Sequence, residues 1–344
     1  MSRPTVLLVT LAAGVAALAL LGLVVGPVRV PLGETLRVLV GAAPADPRWQ
    51  VVVHTLRLPR VCTAAAAGAG LGVAGLQMQT LFRNALADPY VLGVSSGASL
   101  GVALVVIGVG AGAGFTAGLG AGDRAGVVLA AAAGAAAVLT VVLLLSRWVR
   151  SAATLLLIGV MVGAASTAIV SVLLIYADPQ RIQQYLVWGL GSFAGTSWAD
   201  LRLLLPLVAV GLAAAALTVR PLNALLLGEG YARSMGIDVA RARLITVASA
   251  SLLAGVTTAF CGPIAFLGLA VPHLARLALG TSDHRVLLPG VVLMGAAVAL
   301  ACGLVSQVPG SDAVLPINAV TALLGAPIVV VALLRSRRGL GLER

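Results

Sequence analysis

The sequence predicts an all-α membrane protein, with about ten transmembrane helices in one domain that covers residues 1–344. The first observation is composition: 60% of the residues are hydrophobic, 10% are charged, and the mean hydropathy is +1.10. Soluble domains carry about 25% charged residues, so this chain is too apolar for water. The second observation is that apolar runs of roughly 20 residues, the length needed to cross a bilayer, recur along the chain.

The apolar runs place the spans in order. Residues 6–25 follow Arg3 and exceed the apolar core of a cleaved signal peptide, so we expect a retained first helix. The eighth run is short and contains a proline, which interrupts helical hydrogen bonding. The expected spans are 5–25, 61–81, 91–110, 125–146, 153–176, 201–219, 243–260, 262–278, 286–306 and 316–334.

Glycine has two uses along these runs. The second span carries four glycines between residues 68 and 75, and the fifth carries Gly159 and Gly163. Small residues let helices approach closely in lipid, so we expect tight packing at these positions. The glycine-rich stretch 108–122 instead predicts a pliable outer loop.

The charges fall between the spans. The net charge of +11 comes entirely from arginine, because the chain contains no lysine. With both termini in the cytoplasm, fourteen of the 22 arginines lie on the inner side, as the positive-inside bias favours, and this pattern indicates lipid rather than nucleic acid as the neighbour. The missing lysine excludes a G-x-x-x-x-G-K-[ST] phosphate loop, so any ATP hydrolysis must occur on another chain. Cys62, Cys261 and Cys302 have no metal-ligand spacing and are interpreted as small core residues.

Two other functional classes are weighed against a transport subunit. Every aspartate and glutamate falls outside the expected spans, which disfavours an ion-coupled secondary carrier, since such carriers keep ionisable groups at membrane depth. Residues 93–97 match G-x-S-x-G, the nucleophile elbow of hydrolases. Here that motif opens a membrane helix without a strand before it, so we interpret it as a coincidence.

The least apolar segment is the elbow, residues 220–243. Pro221 is suited to a first helical turn, and Gly228 and Gly236 to helix ends. Asp238 is a candidate N-cap for the next span, and Glu229 and Arg233 are one turn apart. The pattern predicts two short helices, and it fits either an ordinary polar loop or a docking surface for a cytoplasmic partner.

Two further clusters remain open on the residues alone. Arg57 and Arg60 flank Leu-Pro just before the second span, where they either anchor the helix end in the headgroup region or pair with carboxylates of a docking protein. After that span, Asp88-Pro89 is a typical helix stop, but it does not explain Asn84 and Leu86 beside it.

Ordered blocks over nearly the whole chain resemble one family, the membrane permeases of bacterial ATP-binding-cassette (ABC) importers for iron chelates, haem and cobalamin. The blocks are LRLPR (56–60), GLQMQTLFRNALADPYVLGVSSGAS (75–99), LLLIG (155–159), VWGLGSFAGTSW (187–198), LLGEGYARSMGIDVARAR (226–243), GPIAFLGLAVPHLARLALGTSDHRVLLP (262–289) and LPINAVTALLGAPI (315–328). The resemblance implies the type II importer architecture, a homodimer in the bacterial cytoplasmic membrane, two cytoplasmic ATPases that hold ATP and Mg²⁺, and an outer binding protein. It implies a transport subunit that is not itself an enzyme and binds no cofactor. The expected cargo is a ferric siderophore, with haem or cobalamin as alternatives.

The resemblance also implies roles for particular residues. ATPase coupling falls on Leu226, Leu227, Gly228, Glu229, Ala232, Arg233, Ser234, Met235 and Gly236. The cytoplasmic gate falls on Asn84, Leu86, Ala152 and Ala153, and binding-protein docking falls on Arg57 and Arg60. This sequence departs from the family pattern at Gln307, where an arginine is common, and at Val314, where a glutamate is common. Ala152 and Ala153 stand where the gate of cobalamin permeases has hydroxyl residues.

Overall fold

The computed structural model describes residues 3–107, 124–146, 148, 152–307 and 314–339. Within these ranges, only the backbone is described at positions 3, 124, 146, 152–153 and 331–339. The glycine-rich stretch 108–122, predicted to be an outer loop, lies outside the described residues, as do Arg147, Arg150 and Arg344.

The described chain is almost entirely helical. Its α-helices are α1 (Arg3–Val24), α2 (Leu32–Leu39), α3 (Pro47–Gln50), α4 (Leu58–Leu81), α5 (Val94–Val106), α6 (Arg124–Ser146), α7 (Ala152–Ile175), α8 (Pro179–Gly189), α9 (Trp198–Leu217), α10 (Val219–Leu226), α11 (Glu229–Ser234), α12 (Val239–Cys261), α13 (Leu267–Leu279), α14 (His284–Val305) and α15 (Ile317–Gly339). A π-helical segment, Val51–Arg57, precedes α4, and a 3₁₀ turn, Pro89–Leu92, precedes α5.

The predicted fold class is confirmed. Seven helical segments of the described chain are long and apolar enough to cross a membrane. Three shorter apolar helices, Val94–Val106, Leu267–Leu279 and Ile317–Val330, occupy the third, eighth and tenth expected spans, so seven and three together match the ten runs of the sequence. Asp200 is a small correction: α9 begins at Trp198, so this carboxylate lies in its first turn, where it forms a capping box with Ser197.

Two expected spans begin too early. The run 91–110 starts with the 3₁₀ turn, and its helix begins only at Val94, after Gly93 in a left-handed conformation. The run 262–278 starts with a non-helical segment, residues 262–266, in which Gly262 and Phe266 both have positive φ, 73° and 68°. Hydropathy cannot detect where these two helices begin, since the segments before α5 and α13 are as apolar as the helices themselves.

The core is built around α4, which packs against α9, α12, α13 and α14. Nearly all of α4 from Ala67 to Leu81 is buried. A methyl group added to Gly68 would lie 2.1 Å from the Gly295 carbonyl oxygen, and one added to Gly75 would lie 1.7 Å from that of Gly268. The backbones therefore touch at these glycines, as the sequence predicts.

A second layer consists of α5, α6 and α7, with α6 also against α12. Within the described chain α7 packs mainly on α5 and on the 3₁₀ turn. Leu157, Met161, Val172 and Ile175 on α7 are exposed. An apolar surface of this size on a membrane helix is covered by lipid or by another chain.

The two ends of α4 define two faces of the molecule. At its start, the π-helical segment, α2 and α3 form a small cap with its own cluster of Val30, Val38 and Val53. We call this end the Arg57 face. At its other end lie the loop 82–88 and the elbow with α10 and α11, and we call it the elbow face.

Candidate functional site

The elbow contains the two short helices predicted from its proline, glycine and N-cap positions. After α10, Gly228 adopts φ 112° and ψ 156°, a region that is open to glycine almost alone. After α11, Gly236 has φ 77°, with the Ile237 N–H bonded to the Ala232 carbonyl and the Gly236 N–H to that of Arg233, the pattern of a Schellman cap. Asp238 then caps α12 by accepting the Arg241 N–H at 3.0 Å. Two glycine-specific turns therefore orient α11.

Ion pairs hold α11 on the body of the protein. Glu229 Oε2 lies 3.3 Å from Arg233 Nη2, as the one-turn spacing predicts. Glu229 Oε1 also accepts from Arg243 Nη2 of α12 at 2.8 Å. The Arg233 side chain is 66% exposed, whereas that of Arg243 is 8% exposed. The second pair joins α11 to α12 and was not predicted.

The elbow presents an apolar surface outward. Ala232 is fully buried and seats α11, while the large apolar side chains around it are exposed. These exposed side chains are Leu226, Leu227, Tyr231 and Met235. A cluster of exposed apolar residues rimmed by charge on a polar loop is typical of a protein interaction site.

The predicted gate loop follows α4 directly. Arg83 has φ 48°, and the Asn84 N–H bonds to the Gln79 carbonyl at 3.1 Å, so a Schellman cap ends α4 with arginine in the place that glycine usually takes. The Asn84 side chain accepts the Leu86 N–H at 2.9 Å, and both side chains are exposed. Asp88 accepts the Tyr90 N–H at 2.8 Å, and burial raises the pKa of its carboxyl to about 6. The loop is thus hydrogen-bonded at both ends and exposed between them.

The elbow and the gate loop lie beside each other. A methyl group on Gly228 would be 3.9 Å from Arg83 Nη1. Ala152 and Ala153, the other predicted gate residues, are in the first turn of α7, where only the backbone is described. The structure therefore brings Asn84, Leu86 and the residues predicted to couple to the ATPase to one face.

The two predicted docking arginines differ. Arg57 is only 6% exposed, and its guanidinium donates to the carbonyls of Leu23 at 2.7 Å, Val24 at 2.9 Å and Val28. Arg60 is half-buried, with a 3.4 Å contact from Nη2 to Ser306 Oγ. Both line an open cavity of about 530 Å³ on the Arg57 face. The hydrogen bonds of Arg57 thus have a structural role within the chain. Docking of a binding protein through either arginine stays a prediction.

Comparisons with known proteins identify the family. A model of the FecCD transport family matches residues 14–335. The chain belongs to the FecCD transport family. The vitamin B12 import system permease protein BtuC of Escherichia coli O9:H4 (strain HS) is 38% identical over 295 residues, 85% of this chain and 86% of the relative. BtuC of Shigella boydii serotype 18 is 36% identical over the same shares of the two chains.

A solved structure described as an inward-facing conformation of a metal-chelate-type ABC transporter superposes with a TM-score of 0.82. It is 29% identical, and the alignment covers 95% of this chain and 98% of the other. This FecCD protein is therefore a permease of the ABC importer type, a multi-pass membrane subunit that works with ATPase and binding-protein partners.

Two of the departures from the family pattern, Gln307 and Val314, occupy one region of this FecCD protein. Gln307 is buried and pairs with Val314 in an isolated antiparallel bridge. Asn318 Oδ1 accepts the Ala265 N–H at 2.8 Å and so joins the start of α15 to the non-helical segment 262–266 before α13. Neither Gln307 nor Val314 brings a charge to the Arg57 face.

The G-x-S-x-G match has a packing explanation. Gly93 begins α5, and a methyl group there would lie 2.9 Å from the Gly159 carbonyl oxygen of α7. A nucleophile elbow requires a strand before the motif, and the described residues contain none there. Within the described ranges, no group of three or more His, Cys, Asp or Glu could hold a metal ion.

Sequence reasoning missed the polar residues that connect the two loops. Arg243 lies at the end of the segment defined as the elbow, and no local pattern assigned a role to His284. His284 is 1% exposed and bonds to Thr80 of α4 and to Asn223 of α10. Only Asp283 before it, a typical N-cap, hinted at an ordered helix start here.

Proposed function

We propose that this chain forms the transport pathway of an ATP-driven importer for a bulky metal chelate. The observation that carries this proposal is the braced elbow, with its exposed apolar surface next to the gate loop. A secondary carrier has no use for such a surface, whereas a subunit driven from outside needs one.

Energy enters through the elbow. We assign ATPase docking to the exposed residues Leu226, Leu227, Tyr231 and Met235, with Gly228 and Gly236 shaping the turns. Glu229 and Arg233, with Ser234 and the buried Ala232, hold α11 in place. ATP and Mg²⁺ belong to the partner ATPase, because this chain has no lysine for a phosphate loop. Motion of the ATPases then reaches the gate at Asn84, Leu86, Ala152 and Ala153.

The pathway lies between two copies of this chain in the proposed homodimer. The exposed face of α7 supports this arrangement, because the helix carries no charged residue. Its hydroxyl groups at Ser166, Thr167 and Ser171 bond to carbonyls of α7 itself, at 2.9, 3.0 and 3.0 Å. Such a surface offers a large cargo no strong binding group that would retain it.

The orientation follows from the same assignments. The elbow face and both termini are cytoplasmic, and the Arg57 face receives the binding protein. Of the two arginines there, Arg60 is the one whose guanidinium borders the open cavity with the fewer bonds within the described chain. Arg57 supports it by fixing the turn after α1.

The cargo is a metal chelate, and there are three candidates. A ferric siderophore is the expectation from the sequence, with haem as a further alternative. Cobalamin is favoured by a specific observation, since the relatives that are 36–38% identical are named as vitamin B12 permeases.

The test is uptake by proteoliposomes that contain this chain, its ATPase and its binding protein. We expect accumulation of either radiolabelled cobalamin or a radiolabelled ferric siderophore, dependent on ATP and on the binding protein. The matched control replaces the phosphate-loop lysine of the ATPase, which should abolish accumulation without preventing assembly. Accumulation by this chain alone, driven by an ion gradient, would contradict the proposal.

A further inference from the structure

The last turns of α4 are fastened by polar side chains in an apolar core. Gln77, Gln79 and Thr80 are all buried. Gln77 contacts Thr218 Oγ1 at 3.4 Å and accepts from Ser249 of α12 at 3.2 Å. Gln79 accepts from Arg276 of α13 at 2.7 Å, and Thr80 pairs with His284 of α14 at 2.9 Å. Each side chain therefore ties the end of α4 to a different helix.

The bond at Thr80 continues to the elbow face. His284 Nδ1 lies 2.8 Å from Asn223 Oδ1, and the His284 backbone N–H donates to the same oxygen at 2.9 Å. Asn223 belongs to α10, and its Nδ2 donates to Asp283 at 2.6 Å. A chain of hydrogen bonds thus runs from α10 through His284 to α4.

The hydrogen positions in this chain follow from its far end. The Arg285 backbone N–H and the Asn223 amide lower the pKa of Asp283, so its carboxylate is ionised and can only accept. The Asn223 amide must therefore turn its nitrogen to Asp283 and its oxygen to His284. Nδ1 of His284 then carries a proton, because Asn223 Oδ1 can only accept.

The other ring nitrogen of His284, Nε2, faces the Thr80 hydroxyl, which can either donate or accept a hydrogen bond. In the neutral ring Nε2 accepts the Thr80 hydroxyl proton, whereas in the charged ring Nε2 donates and the hydroxyl turns to the Leu76 carbonyl, 2.9 Å away. The Thr80 hydroxyl and each ring N–H of His284 have an acceptor in either state. The Thr80–His284 end of this chain of hydrogen bonds is buried, where satisfied hydrogen bonds stiffen a structure, and this suits the transmission of a displacement.

We propose that His284 is a positioning residue for transport, which passes the movement of the elbow to the gate loop. Its ring joins Asn223, in the first helix of the elbow, to Thr80, four residues before Asn84 on the chain. The same two segments are also adjacent at Gly228, where an added methyl group would lie 3.9 Å from Arg83 Nη1. The inference rests on the proposed function, since it explains how that function couples ATPase docking to gating.

The test removes one hydroxyl. Thr80→Val keeps the shape of the side chain and breaks the bond to His284, and Thr80→Ser restores the hydroxyl. Thr246→Val is the matched control, because Thr246 is equally buried and its hydroxyl donates to Ala242 of its own helix at 2.7 Å. All variants are assembled with the ATPase and the binding protein in proteoliposomes.

We expect Thr80→Val to lower the chelate transported per ATP hydrolysed by about fivefold or more, the lower bound of usual allosteric coupling. Its thermal stability should fall below that of Thr246→Val, because Nε2 of the buried His284 loses its partner, while its ATP hydrolysis should persist. Thr80→Ser should transport as the wild type does. An unchanged ratio in Thr80→Val would overturn the proposal. So would an equal loss of transport and ATP hydrolysis together with lower thermal stability, because this result describes a purely structural bond.

A second measurement separates this inference from the proposed function. Leu86→Cys places a thiol in the gate loop, and its rate of modification by a maleimide is compared with and without ATP trapped on the ATPase. We expect ATP to change this rate in the wild-type and Thr246→Val backgrounds but not with Thr80→Val. If the rate responds in this way and the wild type imports no chelate, the proposed function fails and the relay stands. A response that persists in Thr80→Val overturns the relay.

Discussion

Asp88 shows at the scale of one residue how burial changes a titration. The carboxylate accepts the Tyr90 N–H, which favours its charged form, but desolvation is the larger effect and raises the pKa to about 6. A carboxyl whose pKa is higher in the folded protein binds its proton more tightly there. Its contribution to the free energy of unfolding is therefore greatest at low pH.

Comparison with Asp88→Asn isolates this effect, because asparagine keeps an oxygen for the Tyr90 N–H and does not ionise. We expect the melting temperature of the wild type to fall relative to that of the variant as the pH rises from about 4 to about 6, and then to stay level. The measurement is thermal unfolding in detergent across this range. A difference that is constant with pH would show that Asp88 has an ordinary pKa.

At the scale of the element, the elbow depends on which charges are buried. Arg233 and Arg243 both pair with Glu229, but water screens the exposed Arg233 and not the buried Arg243. Exposed pairs contribute about 0–1 kcal/mol, and breaking a buried pair costs about 3–5 kcal/mol. Glu229 is itself partly exposed, so the cost of losing Arg243 lies between these limits.

Replacement of each arginine by alanine tests this ranking. We expect Arg233→Ala to lower the free energy of unfolding by about 0.5 kcal/mol and Arg243→Ala by about 2 kcal/mol. The quantity to measure is stability in mild detergent, with ATPase binding as a second readout. Equal losses in the two variants would mean that Arg243 does not brace α11.

At the scale of the whole molecule, the two faces are joined by α4. Its first turn carries Arg60 at the open cavity, and its last turns carry the polar side chains that fasten the end of α4 before the predicted gate loop. A helix that links the two faces suits a subunit proposed to respond to partners on both sides of the membrane.

Charge reversal at Arg60 tests the Arg57 face. We expect Arg60→Glu to weaken binding-protein docking by about tenfold, or about 1.4 kcal/mol, and to reduce its dependence on salt. Arg48→Glu is the control, since Arg48 is an exposed arginine of the same face that pairs with Asp46 at 2.7 Å. Affinity is measured by surface plasmon resonance on the reconstituted complex. Equal affinities for Arg60→Glu and the wild type would place docking elsewhere.

Much of the fold was predictable because hydropathy and the helix-ending residues depend only on the local sequence. Span length identified the apolar helices, the glycines of α4 indicated close packing, and Gly228, Gly236 and Asp238 indicated the turns of the elbow. The starts of α5 and α13 were missed because their left-handed residues, Gly93 and Phe266, follow from contacts with distant segments. Helices α2 and α8 were missed because they are short and amphipathic.

The sequence by itself determined a membrane-embedded helical protein, since this conclusion depends on composition and run length. It also shows that the chain has no lysine for a G-x-x-x-x-G-K-[ST] phosphate loop. Only the tertiary structure decided that Arg57 is buried among carbonyls, that Glu229 reaches Arg243, and that Thr80 meets His284. The last two residues are 204 positions apart, and no local pattern relates them. Their contact exists because helix packing brings the ends of α4, α10 and α14 together, where a buried polar group must find a partner.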